Sequence, residues 1–299
     1  MPNGYFNIIT IQKNSMLEIL LFVVAFIGST AAGIYDLKTT EIPDEIPYAM
    51  MAIGIVGNIV QSYLVSSYWP FVYSMIAGLG FLGFGFIMYY LGQWGGGDAK
   101  ILSAIGFLLP TYRSTKLILP FSVSFFFNVF LVGAVYMIIY AFALSFINKR
   151  IWSVFFSDLK ANARMVVIYN SALVASIILM GLLFARYFEF LPLTSFTIFV
   201  VIIALASAGF YILWKFVKAV ENVGFKKKIP VSKLRVGDVP DYYKIWEGVT
   251  EKDIRKIKKS GKKYIIVKEG VRFAPSFPIA LLFTLYFGDG ILFLMNFFI

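Results

Sequence analysis

Long stretches without charged residues alternate along this 299-residue chain with short polar segments. A helix needs roughly 20 apolar residues to cross about 30 Å of hydrocarbon. Runs of this length predict membrane-spanning helices at about 17–35, 46–68, 71–91, 117–147, 165–185, 194–217 and 275–298. Between the third and the fourth of these lies a shorter apolar segment, "AKILSAIGFLLP", which ends at Pro110. The pattern therefore predicts seven clear crossings and one short segment that must be decided separately.

The distribution of Lys and Arg decides whether the short segment crosses, because cytoplasmic loops of membrane proteins carry an excess of basic residues. If it crosses, one face receives 23 of the 27 basic residues, and the other receives only Lys13, Arg113, Lys116 and Arg186. If it does not cross, everything after Pro110 inverts and the basic loop at 148–164 moves outside. The charge pattern therefore favours eight crossings, with the amino-terminus outside.

The predicted fold class is an all-α polytopic membrane protein of about eight transmembrane helices, with a small α+β cytosolic insert before the last helix. Within that insert, "VTEKDIRKIKKSG" predicts a helix that Thr250 and Asp253 cap and Gly261 ends. The following "KKYIIVKEG" predicts a strand. We divide the chain into a helical core, two additional helices, the insert and a C-terminal helix, at 1–147, 148–217, 218–272 and 273–299.

Composition agrees with a membrane protein and narrows the chemistry. Hydrophobic residues make up 60% of the chain and charged residues 14%, and the mean hydropathy is +0.80. A soluble domain has about a quarter of its residues charged. The chain contains neither Cys nor His, which excludes disulfides, a thiol nucleophile, a histidine base and a Cys/His metal site. We therefore predict no metal and no cofactor, and we expect carboxylates, lysines or hydroxyls to carry any chemistry.

The insert is the most basic part of the chain, with 16 basic and 7 acidic residues between 218 and 272. Basic surfaces beside a membrane are attracted to anionic lipid headgroups. The segment contains no recognised motif for reading nucleic acid. We therefore predict that the insert contacts lipid headgroups and binds no nucleic acid.

Two acids lie at the ends of predicted membrane helices, where an ionisable group is costly and commonly functional. Asp36 ends the first helix, and Asp98 opens the short helix in "QWGGGDAK". Two helices separate them, so both carboxylates return to the same face. A cap at the start of its helix is the structural alternative for Asp98. Asp36 fits such an alternative badly, because the C-terminal end of a helix disfavours an anion.

Two carboxyl groups that share one water cannot both ionise cheaply, so they share a proton and titrate as a unit. The ionised member can take a proton from a water that attacks a peptide carbonyl, and the protonated member can donate to the carbonyl oxygen. Gly95 and Gly97 have no Cβ, so an extended peptide could approach Asp98 closely. A plain turn before a helix is the alternative explanation of these glycines. A phosphate loop fits less well, because the Walker spacing and its Ser or Thr are missing.

These residues resemble a known family. Asp36 with "IP" six residues later, and the G-x-G-D motif that ends at Asp98 with Lys100 after it, are similar to the archaeal prepilin and preflagellin peptidases, relatives of bacterial type IV prepilin peptidases. The segment "GVRFAPSFPIALLFTLYFGDGIL" is similar to the closing helix of that family. The resemblance implies a multi-pass aspartic endopeptidase of the cytoplasmic membrane. It would remove short, positively charged class III signal peptides from prepilin or preflagellin precursors at the cytosolic face, with Asp36 and Asp98 as the catalytic pair.

The chain also departs from the family. The helices at 165–185 and 194–217 are additional to the six of the simplest members, and without a Cys-rich domain the methylation activity of the bacterial enzymes is not implied. One alternative is a presenilin or signal-peptide-peptidase-like protease, although the two acids of that group lie inside adjacent helices. Another is a cation transporter, which would need acids deep within several helices. Only Asp289 is a candidate for that, and it could equally be a structural polar anchor.

The loop after the first helix carries an unusual number of acids for a loop on the basic face. We hypothesise that Glu41, Asp44 and Glu45 form the subsite for the basic residues of the leader. The alternative is that Asp44 and Glu45 only occupy the N-terminus of the second helix, where the helix dipole favours acids. Glu41 lies before that helix and is not covered by the alternative.

Overall fold

The structure, a computed structural model, describes residues 3–112, 117–184, 193–243 and 248–290. Its α-helices are α1 Asn3–Thr39, α2 Glu45–Leu64, α3 Trp69–Tyr90, α4 Gly96–Leu108, α5 Phe121–Ile147, α6 Arg150–Phe184, α7 Leu193–Gly224, α8 Glu251–Lys259 and α9 Ser276–Phe287. Its strands are β1 Lys226–Pro230, β2 Val239–Pro240 and β3 Tyr264–Lys268. The protein is therefore mostly helical, with a small sheet near the C-terminus, as the sequence predicts.

Five helices in the described parts of the chain are long and apolar enough to cross a membrane: Met16–Thr39, Trp69–Tyr90, Phe121–Ile147, Arg150–Gly181 and Thr194–Gly224. The predicted count of eight crossings is thus not confirmed. Helix α4 has only 13 residues, which is about 20 Å of helix. Helix α9 is also short, and residues 291–298 of the predicted last span lie outside the described residues.

Several predicted helix boundaries are wrong in the same direction. The predicted loop at 148–164 is helical, because α6 begins at Arg150, and α7 continues past 217 to Gly224. Helix α1 likewise begins before residue 17. Hydropathy marks the part of a helix that lies in hydrocarbon, whereas charged residues are good helix formers and continue the helix beyond it. An ion pair of 2.8 Å joins Asp158, in the extension of α6, to Lys215 near the end of the predicted span in α7.

The chain separates into two compact units, one made of residues 1–137 and 228–299 and the other of residues 138–227. The first unit is built around α4, whose apolar side chains from Ile101 to Leu108 are buried against α1, α2 and α3, in an apolar cluster that also includes residues of α9. Glycines allow this close packing, since a Cβ at Gly54 would lie 2.8 Å from the backbone nitrogen of Leu108. In the second unit, α6 and α7 pack against each other. The division into four segments stays a prediction.

From residue 228 onward the insert belongs to the first unit. Its sheet has three strands in the order β1-β3-β2, with β2 antiparallel to β3. Ile254 and Ile257 of α8 pack on its small apolar core. Thr250 and Asp253 cap α8 reciprocally, and Gly261 ends it with a φ of +72°. The helix, its caps and the strand predicted for the insert are therefore confirmed.

Candidate active site

Asp36 lies in the last turn of α1 with only 5% of its surface exposed. Its Oδ2 accepts the backbone N–H of Ala274 at 3.0 Å. The two chain segments approach closely one turn earlier, where a Cβ at Gly33 would lie 3.1 Å from the Cα of Pro275. The carboxylate at this helix end is therefore held by a donor from outside its own helix, which offsets the unfavourable end of the helix dipole.

Asp98 is the third residue of α4 and is 7% exposed. Its Oδ2 accepts the N–H of Gly95, the residue at the cap position, at 3.2 Å. Its Oδ1 is buried and has no hydrogen-bond partner among the described residues. The predicted alternative, a helix cap, therefore accounts for only one oxygen of Asp98: Oδ2 caps α4 from within its first turn. Oδ1 takes no part in the cap.

Both carboxyl groups line one cavity of about 730 Å³ within the first unit. The charge of Asp36 acts electrostatically on Asp98, although 62 positions separate them in sequence. Parts of the insert complete the wall, together with the loops that follow α1 and precede α4: residues 39–42, 93–97, 235–239 and 268–271. The structure therefore brings the two predicted acids together at an open cavity that an extended peptide could enter.

Gly95 and Gly97 both line this cavity. A Cβ at Gly97 would lie 2.9 Å from Cδ1 of Ile42, and a Cβ at Gly95 would lie 3.3 Å from Oδ2 of Asp98. Glycine at these positions therefore allows the loop to pack against Ile42 and leaves room for the bond to Asp98. The approach of a substrate backbone to these glycines stays a prediction.

The three acids of the loop after α1 lie in different surroundings. Glu41 is exposed and lines the cavity, where a Cβ at Gly237 of the insert would lie 3.7 Å from its Oε1. Asp44 pairs with Nζ of Lys100 at 2.6 Å, and Glu45 is the first residue of α2. Neither Asp44 nor Glu45 lines the cavity. The structure thus places one of the three acids at the cavity that Asp36 and Asp98 line. Lys100 ties α4 to the start of α2 through Asp44.

Asp289 lies elsewhere, buried among hydrogen-bond donors. It accepts the N–H of Ile118 at 2.7 Å and the hydroxyl of Ser124. Beside it, Asn128 of α5 donates to the hydroxyl of Thr284 and to the carbonyl of Gly288. These bonds tie α5 to the end of α9, which favours the structural anchor over a group on an ion path.

Several groups around the two acids were not predicted from the sequence. Ala274 acts through its backbone N–H, Phe273 packs its ring 5.6 Å from that of Trp94, and Arg272 acts electrostatically on Asp36. Any residue except proline carries a backbone N–H, so residue type does not predict which one will donate. Arg272, Phe273 and Ala274 also lie more than 230 positions after Asp36. The one available signal was a basic residue, Arg272, placed directly before an apolar helix. Within the described residues, no three or more acidic side chains come together as a metal site.

Residues 22–138 match the type IV leader peptidase family. This segment contains both aspartates, the glycine loop and the whole of α4. The insert, α6, α7 and α9 lie beyond it.

Three curated relatives are similar to the chain. The prepilin peptidase EppA of Methanothermobacter thermautotrophicus is 24% identical over 147 residues, which are 45% of this chain and 38% of the relative. The preflagellin peptidase of Methanocaldococcus jannaschii is 35% identical over 92 residues, 31% of this chain and 39% of the relative. That of Methanococcus voltae is 30% identical over 93 residues, 31% and 40% of the two chains. The chain thus spans about two fifths of the length of these relatives, and its predicted resemblance to archaeal prepilin and preflagellin peptidases is confirmed.

Proposed function

From this similarity to type IV leader peptidases, we propose that the protein is a membrane aspartic endopeptidase. It removes short, positively charged class III leader peptides from prepilin or preflagellin precursors at the cytosolic face of the cytoplasmic membrane. One observation carries the proposal: two buried aspartates from distant helices, Asp36 and Asp98, line the same cavity. The curated relatives are named as peptidases of such precursors.

The chemistry follows from one shared proton. As the oxygen of a water bonds to the peptide carbonyl carbon, the ionised aspartate takes a proton from that water and the protonated aspartate gives its proton to the carbonyl oxygen. The resulting gem-diol then collapses. The C–N bond breaks, the amine nitrogen takes the proton that came from water, and a gem-diol hydroxyl returns a proton to the other aspartate. The pair ends in its starting state, and the net change is hydrolysis of one peptide bond.

The charges of the cavity suit a cationic leader. Five acids line it against two bases: Asp36, Glu41, Asp98, Asp238 and Glu269 against Arg235 and Lys268. Nζ of Lys268 donates to the carbonyl of Tyr243, so its charge is already held by the insert. Of the three acids in the loop after α1, only Glu41 lines the cavity, so we assign Glu41 to the basic residues of the leader. Asp44 and Glu45 would contribute through their charge from outside the cavity.

The basic surface of the insert supports the proposed contact with anionic lipid headgroups. Basic residues of α8, including Lys252, Lys256 and Lys259, are exposed. The same excess of positive charge supports a cytosolic insert and active site. Polybasic segments gain about 1 kcal/mol per residue at an anionic membrane surface, so the proposed contact would hold the insert close to the membrane.

The test is cleavage by the purified protein in liposomes. A tagged archaeal precursor with a class III leader is incubated with the protein, and mass spectrometry of the product identifies the cut bond. We expect one cut after the basic leader, insensitive to EDTA, and slower cleavage of a precursor whose leader has been neutralised. Glu251→Gln, at an exposed acid of the insert, serves as the control for loss of a carboxylate. A wild-type protein that leaves every tested precursor intact would overturn the proposal.

A further inference from the structure

The segment that links the insert to α9 lies directly against the catalytic pair. We call residues 271–276 the junction. Inside it, the N–H of Phe273 donates to Val271 and the N–H of Ser276 donates to Phe273, both at 2.9 Å. The N–H of Ala274 is not used within this turn and donates to Asp36. Ala274 is fully buried, so the bond to Asp36 is shielded from water.

The junction also contacts the loop that holds Asp98. The ring of Phe273 lies 5.6 Å from that of Trp94, which directly precedes Gly95, the donor to Asp98. Helix α5 packs closely on the same ring, since a Cβ at Gly133 would lie 2.6 Å from it. One segment outside the family match therefore fixes the surroundings of both acids.

The two acids are not equivalent in this arrangement. Burial disfavours the charged form of both acids, but Asp36 receives a backbone donor from Ala274 and the positive charge of Arg272, which lies two positions before Ala274. Asp98 receives one backbone donor, and its Oδ1 is buried with no partner among the described residues. An ionised carboxylate is favoured by donors and cations, whereas a buried oxygen without a donor favours the neutral acid. The charged groups facing Asp36 are Asp98 and Arg272, and those on the remaining cavity wall are Glu41, Arg235, Asp238, Lys268 and Glu269.

We propose that the junction positions Asp36 as the ionised member of the pair, with the N–H of Ala274 fixing its direction and Arg272 maintaining its charge. Asp36 then takes the proton from the attacking water and passes it to the leaving amine nitrogen. Asp98 donates to the carbonyl oxygen and recovers its proton from the gem-diol. This inference rests on the proposed peptidase function. Arg272 is a positioning residue in it, since it acts through Asp36 and need not touch substrate.

The first test is the pH profile of Arg272→Met. Removing the positive charge makes ionisation of Asp36 harder, so the acidic limb of kcat/KM moves to higher pH by on the order of one pH unit. Arg272→Lys keeps the charge and should restore most of the wild-type profile. Arg255→Met removes an equal charge from exposed α8, where Arg255 pairs with Glu251 at 3.3 Å, and should leave the profile unchanged.

The second test moves the junction without changing any charge. In Gly33→Ala, the new Cβ would lie 3.1 Å from the Cα of Pro275 and displace the junction from Asp36 by a few tenths of an ångström. We expect kcat to fall roughly three- to tenfold with little change in KM. Gly80→Ala on α3 is the matched control, because nothing lies within 4 Å of its added Cβ.

The outcomes separate the two proposals. A wild-type protein that cleaves, together with an Arg272→Met profile that does not shift, overturns the role of the junction and leaves the peptidase function standing. A uniform loss of activity at every pH does the same, because it indicates a merely structural role. If Arg272→Met does not fold, the comparison of Gly33→Ala with Gly80→Ala decides, and equal kcat values overturn the inference. A wild-type protein that cleaves no precursor overturns both proposals.

Discussion

Two regions of the molecule build the candidate active site in different ways. Residues 22–138, which match the family, supply both carboxyl groups and the glycine loop. Residues 228–290, beyond that match, supply a wall of the cavity and the N–H that holds Asp36. The contribution of the first region can be recognised in the sequence, because its two aspartates are charged residues at the ends of apolar helices. The second contributes through backbone atoms and packing, which only the folded chain reveals.

The largest effect among variants that keep both acids is expected at Gly97, in the first region. Gly97→Ala would place a Cβ 3.0 Å from Cβ of Ile42, an atom fixed to the backbone, which displaces the start of α4 and with it Asp98. We expect kcat to fall by about tenfold to a hundredfold. Gly96→Ala is the matched control, since its Cβ would meet only the ring of Tyr89 at 3.9 Å. Similar kcat values for the two variants would contradict the packing role of Gly97.

The second region is tested at Gly248, which lines the cavity in the insert. A Cβ there would lie 2.5 Å from the backbone of Gly237, so Gly248→Ala should displace the loop at 235–239. Because this loop is a wall and carries no reacting group, we expect KM to rise by about tenfold and kcat to change less. A fall in kcat with unchanged KM would show that the insert acts on the catalytic step and not on binding.

A smaller effect is expected for Glu41→Gln, which tests the reading of leader charge. An exposed charge pair contributes about 0.2–1 kcal/mol, so cleavage of a basic leader should slow by only a few-fold. It should also become less sensitive to salt. Asp44→Asn should have less effect on leader preference, since Asp44 is already paired with Lys100. A salt titration with basic and neutralised leaders measures both, and equal preference in Glu41→Gln and wild type would place the subsite elsewhere.

The smallest effect on cleavage is expected for Asp289→Asn, because Asp289 belongs to the second region but does not line the cavity. The amide keeps one acceptor oxygen but presents a donor to either the N–H of Ile118 or the hydroxyl of Ser124. An unsatisfied buried polar group costs about 1–3 kcal/mol, so thermal unfolding should occur at a lower temperature. The kcat of the folded variant should match wild type. A loss of kcat without a loss of stability would give Asp289 a functional role.

Local features of the fold were predictable and distant ones were not. The helix α8 with its caps at Thr250 and Gly261 follows from a dozen consecutive residues, and the structure has it as predicted. The start of α6 at Arg150 was not predicted, because hydropathy identifies apolar segments and not helical turns that contain charged residues. The short length and deep burial of α4 depend on four neighbouring helices, which no pattern within its own 13 residues reports.

The residues of the candidate site show the same difference between local features and distant contacts. Asp36 and Asp98 were predictable, since an acid at the end of an apolar helix needs an explanation. The pairing of Asp44 with Lys100 was not, because 56 positions separate them and either residue alone suits a solvated helix end. Nor could the sequence reveal that Ala274 donates to Asp36 from 238 positions away. Such bonds depend on how the helices pack, and alanine has no polar side chain from which a hydrogen bond could be predicted.

The central claim is that Asp36 and Asp98 act as one catalytic unit, and a double-mutant cycle of cleavage rates tests it most directly. The kcat of Asp36→Asn, Asp98→Asn and the double variant would be measured on one precursor, with membrane insertion and folding checked for each. The account predicts that each single variant loses at least about 10³-fold, and that the double variant is no slower than the slower single, because either loss already removes the shared proton. Near-normal turnover in either single variant, or losses that multiply in the double, would contradict it.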